Sequence, residues 1–219
     1  MHIPDGFLSH GPTIAATSAA SAGAVAYSLR AVRTKLDERQ VPMVGLTAAF
    51  VFAGQMVNFP IAFGTSGHLL GGVLAGLLLG PWLGCLVMAV VLLVQAIGFG
   101  DGGITVIGAN ISLMGVIAAI GGYYVFRGVA ALLPRSRAGF LGAAGFTAWL
   151  SVVAASAVAA VYLLLSGFPQ QVLAYMIGLH AVIGIGEAAI TVLVLSAVLA
   201  SRPDLVAAWR APAGEAVTA

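Results

Sequence analysis

Apolar residues in this chain do not alternate with polar ones; they run on, broken by glycine, proline and a few charged residues. The runs cover roughly 12–29, 42–59, 66–80, 82–99, 106–126, 139–165 and 171–200. About 20 apolar residues suffice for a helix to cross a bilayer core about 30 Å thick. Backbone groups in lipid must be satisfied internally, which leaves helices or a closed barrel. Barrel strands would show short alternation, so the continuous runs predict an all-α, polytopic membrane protein with about seven transmembrane helices. The third run is short for a bilayer and is expected to begin or end inside the protein.

Charge adds a direction. Only 7% of residues are charged and 61% are hydrophobic, against about a quarter charged in soluble domains. All nine Lys and Arg residues fall in three places. Arg30, Arg33, Lys35 and Arg39 lie between the first two runs; Arg127, Arg135 and Arg137 lie between the fifth and sixth; Arg202 and Arg210 follow the seventh. With seven spans these share one side, which the positive-inside rule makes cytoplasmic, so the amino terminus is expected outside and the carboxyl terminus in the cytoplasm. The outer segments are then 1–10, 60–68, Asp101-Gly102-Gly103 and the turn at Pro169. They are polar but free of Lys and Arg, which suits a divalent cation. The net charge of +2 follows from topology and implies no nucleic-acid partner.

The start of the chain has no basic n-region, so no signal peptide is expected. Histidine at position 2 is large, so Met1 is expected to stay, with its amine free after deformylation. One membrane domain, 1–210, with an amino-terminal arm at 1–10 and a flexible cytoplasmic tail at 211–219, is the economical organisation. The lone Cys85 reads as packing and offers no intramolecular disulfide. The expected location is the cell membrane, a bacterial cytoplasmic membrane, crossed several times.

His2 carries the chemistry. The Met1 amine, the His2 amide nitrogen and His2 Nδ1 can close consecutive chelate rings on one ion, and a fourth nitrogen would complete a plane. Four nitrogens in a square favour Ni²⁺ or Cu²⁺ over tetrahedral Zn²⁺, with Co²⁺ a weaker guest. The competing reading is a solvated terminal histidine. His68, in Gly64-Thr65-Ser66-Gly67-His68, is a capping or packing histidine on its own and the best fourth nitrogen beside a chelating terminus; His10 is the reserve.

Gln55 and Asn58 are three apart at the outer end of the second run and are expected to face the bundle together. They would bond across helices or hold a ligand histidine in its tautomer. Asp5, Thr65, Ser66, Asp101 and Asn110 are further candidates to support the site, Asp101 as at least a tight turn and Asn110 as a cap or cross-link. His180 and Glu187 share a face of the seventh helix, and ionisable groups inside a membrane point to function. A structural network, a part in gating or ion release, and a proton relay all stay open for them. Gly72, Gly76 and Gly80 repeat every four residues, the spacing that lets membrane helices approach closely. Ala15, Ala16, Ala19, Ala20 and Ala24 give the first helix a small-residue flank that fits internal packing or a second membrane subunit.

Several activities find no motif. There is no GxxxxGK[ST] nucleotide loop, no HExxH and no GxSxG, so no enzyme is expected and no resident cofactor. A passive channel and a membrane metal sensor remain alternatives, although a nitrogen plane holds an ion too tightly for fast conduction.

Met1-His2-Ile3-Pro4-Asp5-Gly6-Phe7-Leu8-Ser9, Asn58-Phe59-Pro60, Gly64-Thr65-Ser66-Gly67-His68-Leu69-Leu70-Gly71-Gly72, Gly80-Pro81, Asp101-Gly102-Gly103 and Gly108-Ala109-Asn110 resemble the CbiM/NikM family. These are the substrate-capture membrane subunits of energy-coupling-factor transporters for cobalt and nickel. The resemblance implies seven helices with the outer arm tucked into the bundle. It implies a Co²⁺ or Ni²⁺ cargo held by the Met1 amine, the His2 backbone and imidazole nitrogens and the His68 imidazole. It also implies a small CbiN/NikN-type membrane partner, a transmembrane coupling subunit and cytosolic ATPase subunits, whose ATP cycle would release the ion inward.

Overall fold

The computed structural model describes residues 1–33 and 38–209, the Arg39 side chain excepted. Lys35, Arg210 and the tail expected at 211–219 lie outside the described residues. Among the described residues the longer helices after the arm are α1 (Gly11–Val32), α2 (Val41–Gln55), α3 (Gly72–Leu79), α4 (Pro81–Phe99), α5 (Ile107–Ala131), α6 (Arg137–Leu165) and α7 (Gln171–Ser201). Of the described helices, α4 to α7 are long and apolar enough to cross a membrane. The molecule is thus an all-α polytopic membrane protein with at least four such helices.

Two expected helices are shorter than their apolar runs, and each has a local cause. The second run ends its helix at Gln55, short of 59. Pro60 disfavours helix in the residue before it, and Phe59–Pro60 (β1) instead pairs antiparallel with Ser66–Gly67 (β2). Asn58 therefore lies beyond α2 and is exposed, which corrects the expectation that it shares an inward face with Gln55. The third run is helical only from Gly72 to Leu79, because β2 and an extended turn take up 66–71.

The short α3, about 12 Å long by helical rise, is buried along its whole length. A helix sunk this way must have its end groups satisfied by other elements. At its start, the Glu187 carboxylate on α7 accepts hydrogen bonds from Leu70 N (2.7 Å) and Gly71 N (2.8 Å). At its end, Ala207 N and Ala208 N donate to Leu78 O and Leu77 O, each at 3.0 Å. The chain beyond α7 folds back here, with Val206 buried and Trp209 against Phe140 at 5.0 Å.

The side of α3 that meets α5 is lined by glycine because main chain touches main chain. A Cβ at Gly76 would stand 2.7 Å from Ala119 O, and one at Gly72 would stand 2.6 Å from Ala118 Cβ. Gly80 is not part of this ridge; it turns the chain into α4 at φ 85°. Replacing Gly76 with valine is expected to cost about 1–3 kcal/mol through overpacking, read as a lower thermal midpoint in detergent.

Helix α1 points Thr13, Thr17, Ser21 and Ser28 inward, with Ser21 Oγ donating to Gly108 O at 2.7 Å. Its alanines at 15, 16, 19 and 20 face outward.

Candidate metal site

The arm does not trail into solvent. Met1 is 2% exposed and Ile3 4%, so the terminus is packed as core. Asn110, at the start of α5, brackets Ile3: its Oδ1 accepts from Ile3 N at 2.8 Å and its Nδ2 donates to Ile3 O at 3.0 Å. Gly103 N adds a bond to Ile3 O at 2.9 Å. The loop can approach because it carries no side chains there. Gly102 has φ 94°, and a Cβ on it would stand 3.5 Å from His2 Cβ, while one on Gly103 would stand 2.5 Å from Asp5 N.

Asp5 proves to be a clamp. It is exposed, and its carboxylate accepts from Ile104 N, Thr105 N and the Thr105 hydroxyl. The Thr105 hydroxyl is the main reason its pKa lies below the usual carboxylate range. Further along, Ser9 bonds Ser166 through both its N–H and its hydroxyl, and Phe7 stacks near Phe168 at 5.5 Å. His10 Nδ1 lies 2.7 Å from Thr13 Oγ1, so its ring is committed to the start of α1.

The fastened arm places His2 against His68, with ring centroids 4.4 Å apart and planes inclined by 32°. His68 is fully buried, and its Nδ1–H donates to Leu69 O at 2.6 Å. That bond fixes the tautomer and leaves a bare lone pair on Nε2, which has no partner. His2 Nδ1 lies 3.0 Å from Asp101 Oδ1. Burial keeps His2 below its usual pKa despite that bond, and the His2 bond holds Asp101 low. A neutral imidazole donating from Nδ1 to an ionised carboxylate fits both directions. His2 Nε2 is then also bare and unpartnered.

This differs from the expected chelate in one atom. Nδ1 was expected to complete rings with the amine and amide, and here it is turned to Asp101. A chelate through Nδ1 requires the ring to turn about its Cβ–Cγ bond and leave that carboxylate.

Burial depresses the pKa of the Met1 amine well below its ordinary value, with Asp101 opposing in part. Burial therefore favours the neutral amine, the form that offers a lone pair. A cavity of about 10 Å³, the lower limit for a single water, is lined by Met1, His2, Thr65, Ser66, Leu163 and Met176 among others. Thr65 spends its hydroxyl on Ala62 O at 2.6 Å, so it shapes the turn between β1 and β2. Gln55 holds the carbonyl of Leu70 through Nε2 at 2.7 Å, leaving Oε1 unpartnered.

Among the described residues no group of three or more His, Cys, Asp or Glu side chains could hold a metal ion. Two imidazoles beside a buried terminus are a different arrangement, since the nitrogens next to them belong to the main chain. Leaving each imidazole lone pair buried and unpaired costs about 1–3 kcal/mol. Such violations of local consistency concentrate at functional sites.

His180 and Glu187, which share a helix face, each bond main chain and not one another. His180 is fully buried, with Nδ1–H donating to Met176 O at 2.7 Å, while Glu187 caps α3. Sequence reasoning missed Thr105 and Ser166, the anchors of the arm; hydroxyl residues in two separate loops carry no signal that they meet one segment.

Comparison with known proteins places this architecture. The family profile described as "Cobalt uptake substrate-specific transmembrane region" matches residues 2–205. A protein of Haloquadratum walsbyi named for metal transport is 40% identical over 94% of this chain and 93% of its own. The "Cobalt transport protein CbiM" of Sorangium cellulosum is 35% identical over 83% of both. The crystal structure of a truncated transition metal transporter superposes with a TM-score of 0.84 at 31% identity, covering 91% of this chain and 99% of the other. With its buried arm and stacked histidines, the chain belongs to the CbiM/NikM family, the membrane substrate-capture subunits of cobalt and nickel energy-coupling-factor transporters; it is a non-catalytic, multi-pass protein of the cell membrane.

Proposed function

We propose that this protein captures Ni²⁺ or Co²⁺ at the outer face through the Met1 amine, the His2 amide and imidazole nitrogens and the His68 imidazole. The observation that carries this reading is the His2–His68 ring pair at 4.4 Å, with His68 Nε2 bare, beside a fully packed amino terminus. On ion entry the His2 ring turns, Nδ1 gives its proton to solvent and joins the chelate, and Nε2 takes up a proton from solvent and becomes the N–H that Asp101 attracts. Asp101, Asn110 and Asp5 hold the arm and orient its ring; Gln55, Thr65 and Ser66 shape the loop that presents His68. A plane of four nitrogens suits Ni²⁺ better than Co²⁺, so binding strength is expected to rank nickel first.

The arrangement in the membrane that supports this has seven helices, with the arm outside and the carboxyl terminus in the cytoplasm. Arg30, Arg33, Arg127, Arg135, Arg137 and Arg202 all lie at helix ends opposite the arm by chain alternation, and the arm-side loops contain no Lys or Arg. Residues 1–210 form one capture domain, and 211–219 are its cytoplasmic tail. Partners of the CbiN/NikN type, a coupling subunit and ATPases supply the energy for release, and the outward alanine face of α1 is a surface a membrane partner can meet.

The test is calorimetry with metal analysis on protein bearing its native terminus. His68→Ala removes one of four ligands and is expected to weaken nickel binding about a hundredfold, the loss of about 3 kcal/mol. Unchanged affinity would remove His68 from the ligand set, and metal uptake without ATPase partners would make the protein a passive channel.

A further inference from the structure

A third buried histidine repeats the design of the second. His180 Nδ1–H donates to Met176 O, just as His68 Nδ1–H donates to Leu69 O, and in both the lone pair on Nε2 faces no partner. A histidine kept for packing alone would find an acceptor's complement for that atom, since buried polar groups are almost always paired. His180 Nε2 is directed at the ligand loop. A Cβ on Gly67, the residue before His68, would stand 3.5 Å from it. The imidazole is also within electrostatic reach of His68. Met176, whose carbonyl fixes the His180 tautomer, lines the cavity under Met1 and His2.

Below His180 the buried face of α7 stays polar. Glu187 follows two turns on and Thr191 one turn further, with Thr191 Oγ1 again unpartnered. On α6, Trp149 Nε1 donates to Ala181 O at 3.0 Å and holds this stretch of α7 in register.

Building on the capture reading above, we propose that His180 is a transit ligand, whose Nε2 takes the ion from the amino-terminal chelate in the first step of inward release. In that step a His180 Nε2–metal bond forms, the bonds from the Met1 amine, the His2 amide nitrogen and the His2 imidazole break, and solvent water fills the positions they leave. A solvent hydronium ion returns the proton that the amide nitrogen gave up at capture, and the ion keeps its oxidation state. His68 stays bound through the exchange. Imidazole is the apt donor, because it is neutral and binds nickel and cobalt without locking them in a plane.

The experiment separates capture from release. His180→Ala and His180→Gln, the latter able to keep a donor for Met176 O, are compared with the unaltered protein for nickel and cobalt binding by calorimetry and for radioactive metal uptake in the full transporter. Both variants are expected to bind within about threefold of the unaltered protein, a change of about 0.7 kcal/mol, and to lose at least nine-tenths of uptake. Uptake that survives either substitution overturns the proposal, as does binding that falls together with uptake. A second readout needs no transport: with Gly-Ser added ahead of Met1, residual Co²⁺ bound at His68 and His180 should give a visible ligand-field spectrum that His180→Ala abolishes, and a spectrum that persists overturns the assignment. If the extended protein binds as tightly as the native one, the capture reading fails instead, independently of His180.

Discussion

Adding Gly-Ser ahead of Met1 is expected to lower nickel and cobalt affinity about a thousandfold, the loss of about 4 kcal/mol. The extension turns the terminal amine into an amide, which removes the first donor and opens the first chelate ring. It also asks two residues to enter a space where Met1 is only 2% exposed and Ile3 is held on three sides by Asn110 and Gly103. To separate the lost donor from the disturbed packing, a second preparation retains the formyl group on Met1 through inhibition of deformylation. That change adds one carbonyl and still removes the amine. If both preparations lose tight binding by calorimetry while keeping their thermal midpoint, the amine is a ligand. Undiminished binding in both sinks the amino-terminal chelate, and the site then shifts toward His68, His180 and Glu187.

The membrane class, the helix-rich architecture and the identity of the residues that meet were legible because each rests on rarity. Four histidines in an apolar chain of 219 residues leave few donors to choose from, and a histidine at position 2 has the terminal amine within chelating reach. The length of α3 was not legible, because the apolar residues from Leu69 onward carry no local start signal, while the helix starts where Glu187, more than a hundred residues later, takes Leu70 N and Gly71 N. Asn58 was misplaced for a related reason. Spacing by three puts it beside Gln55 only if the helix continues, and Pro60 with the β1–β2 pairing ends it at Gln55. Asp101 was legible as a turn but not as the group that holds His2 Nδ1, a contact between loops that no local pattern encodes.

Glu187 decides between the structural and gating readings that spacing alone left open. Glu187→Ala removes the acceptor of two buried N–H groups at the start of α3, each costing about 1–3 kcal/mol when left unpaired, or about 2–6 kcal/mol together. Against a typical total stability of about 5–15 kcal/mol, that is enough to lower the thermal midpoint in detergent by many degrees. Glu187→Gln keeps one acceptor oxygen and is expected to lose roughly half as much. The damage should also reach the metal. Leu70 and Gly71 follow His68 directly in the chain, so freeing them loosens the loop that aims His68 Nε2, and nickel affinity should fall with stability. Amide exchange at Leu70 and Gly71 should accelerate in both variants before the rest of α3 is affected. A carboxylate used for release alone gives the opposite pattern, with the midpoint, the affinity and the exchange rates unchanged and uptake lost. Since both Glu187 oxygens are already occupied by main-chain donors at 2.7 and 2.8 Å, the carboxylate is committed to holding the ligand loop, and the midpoint is the quantity that should move first.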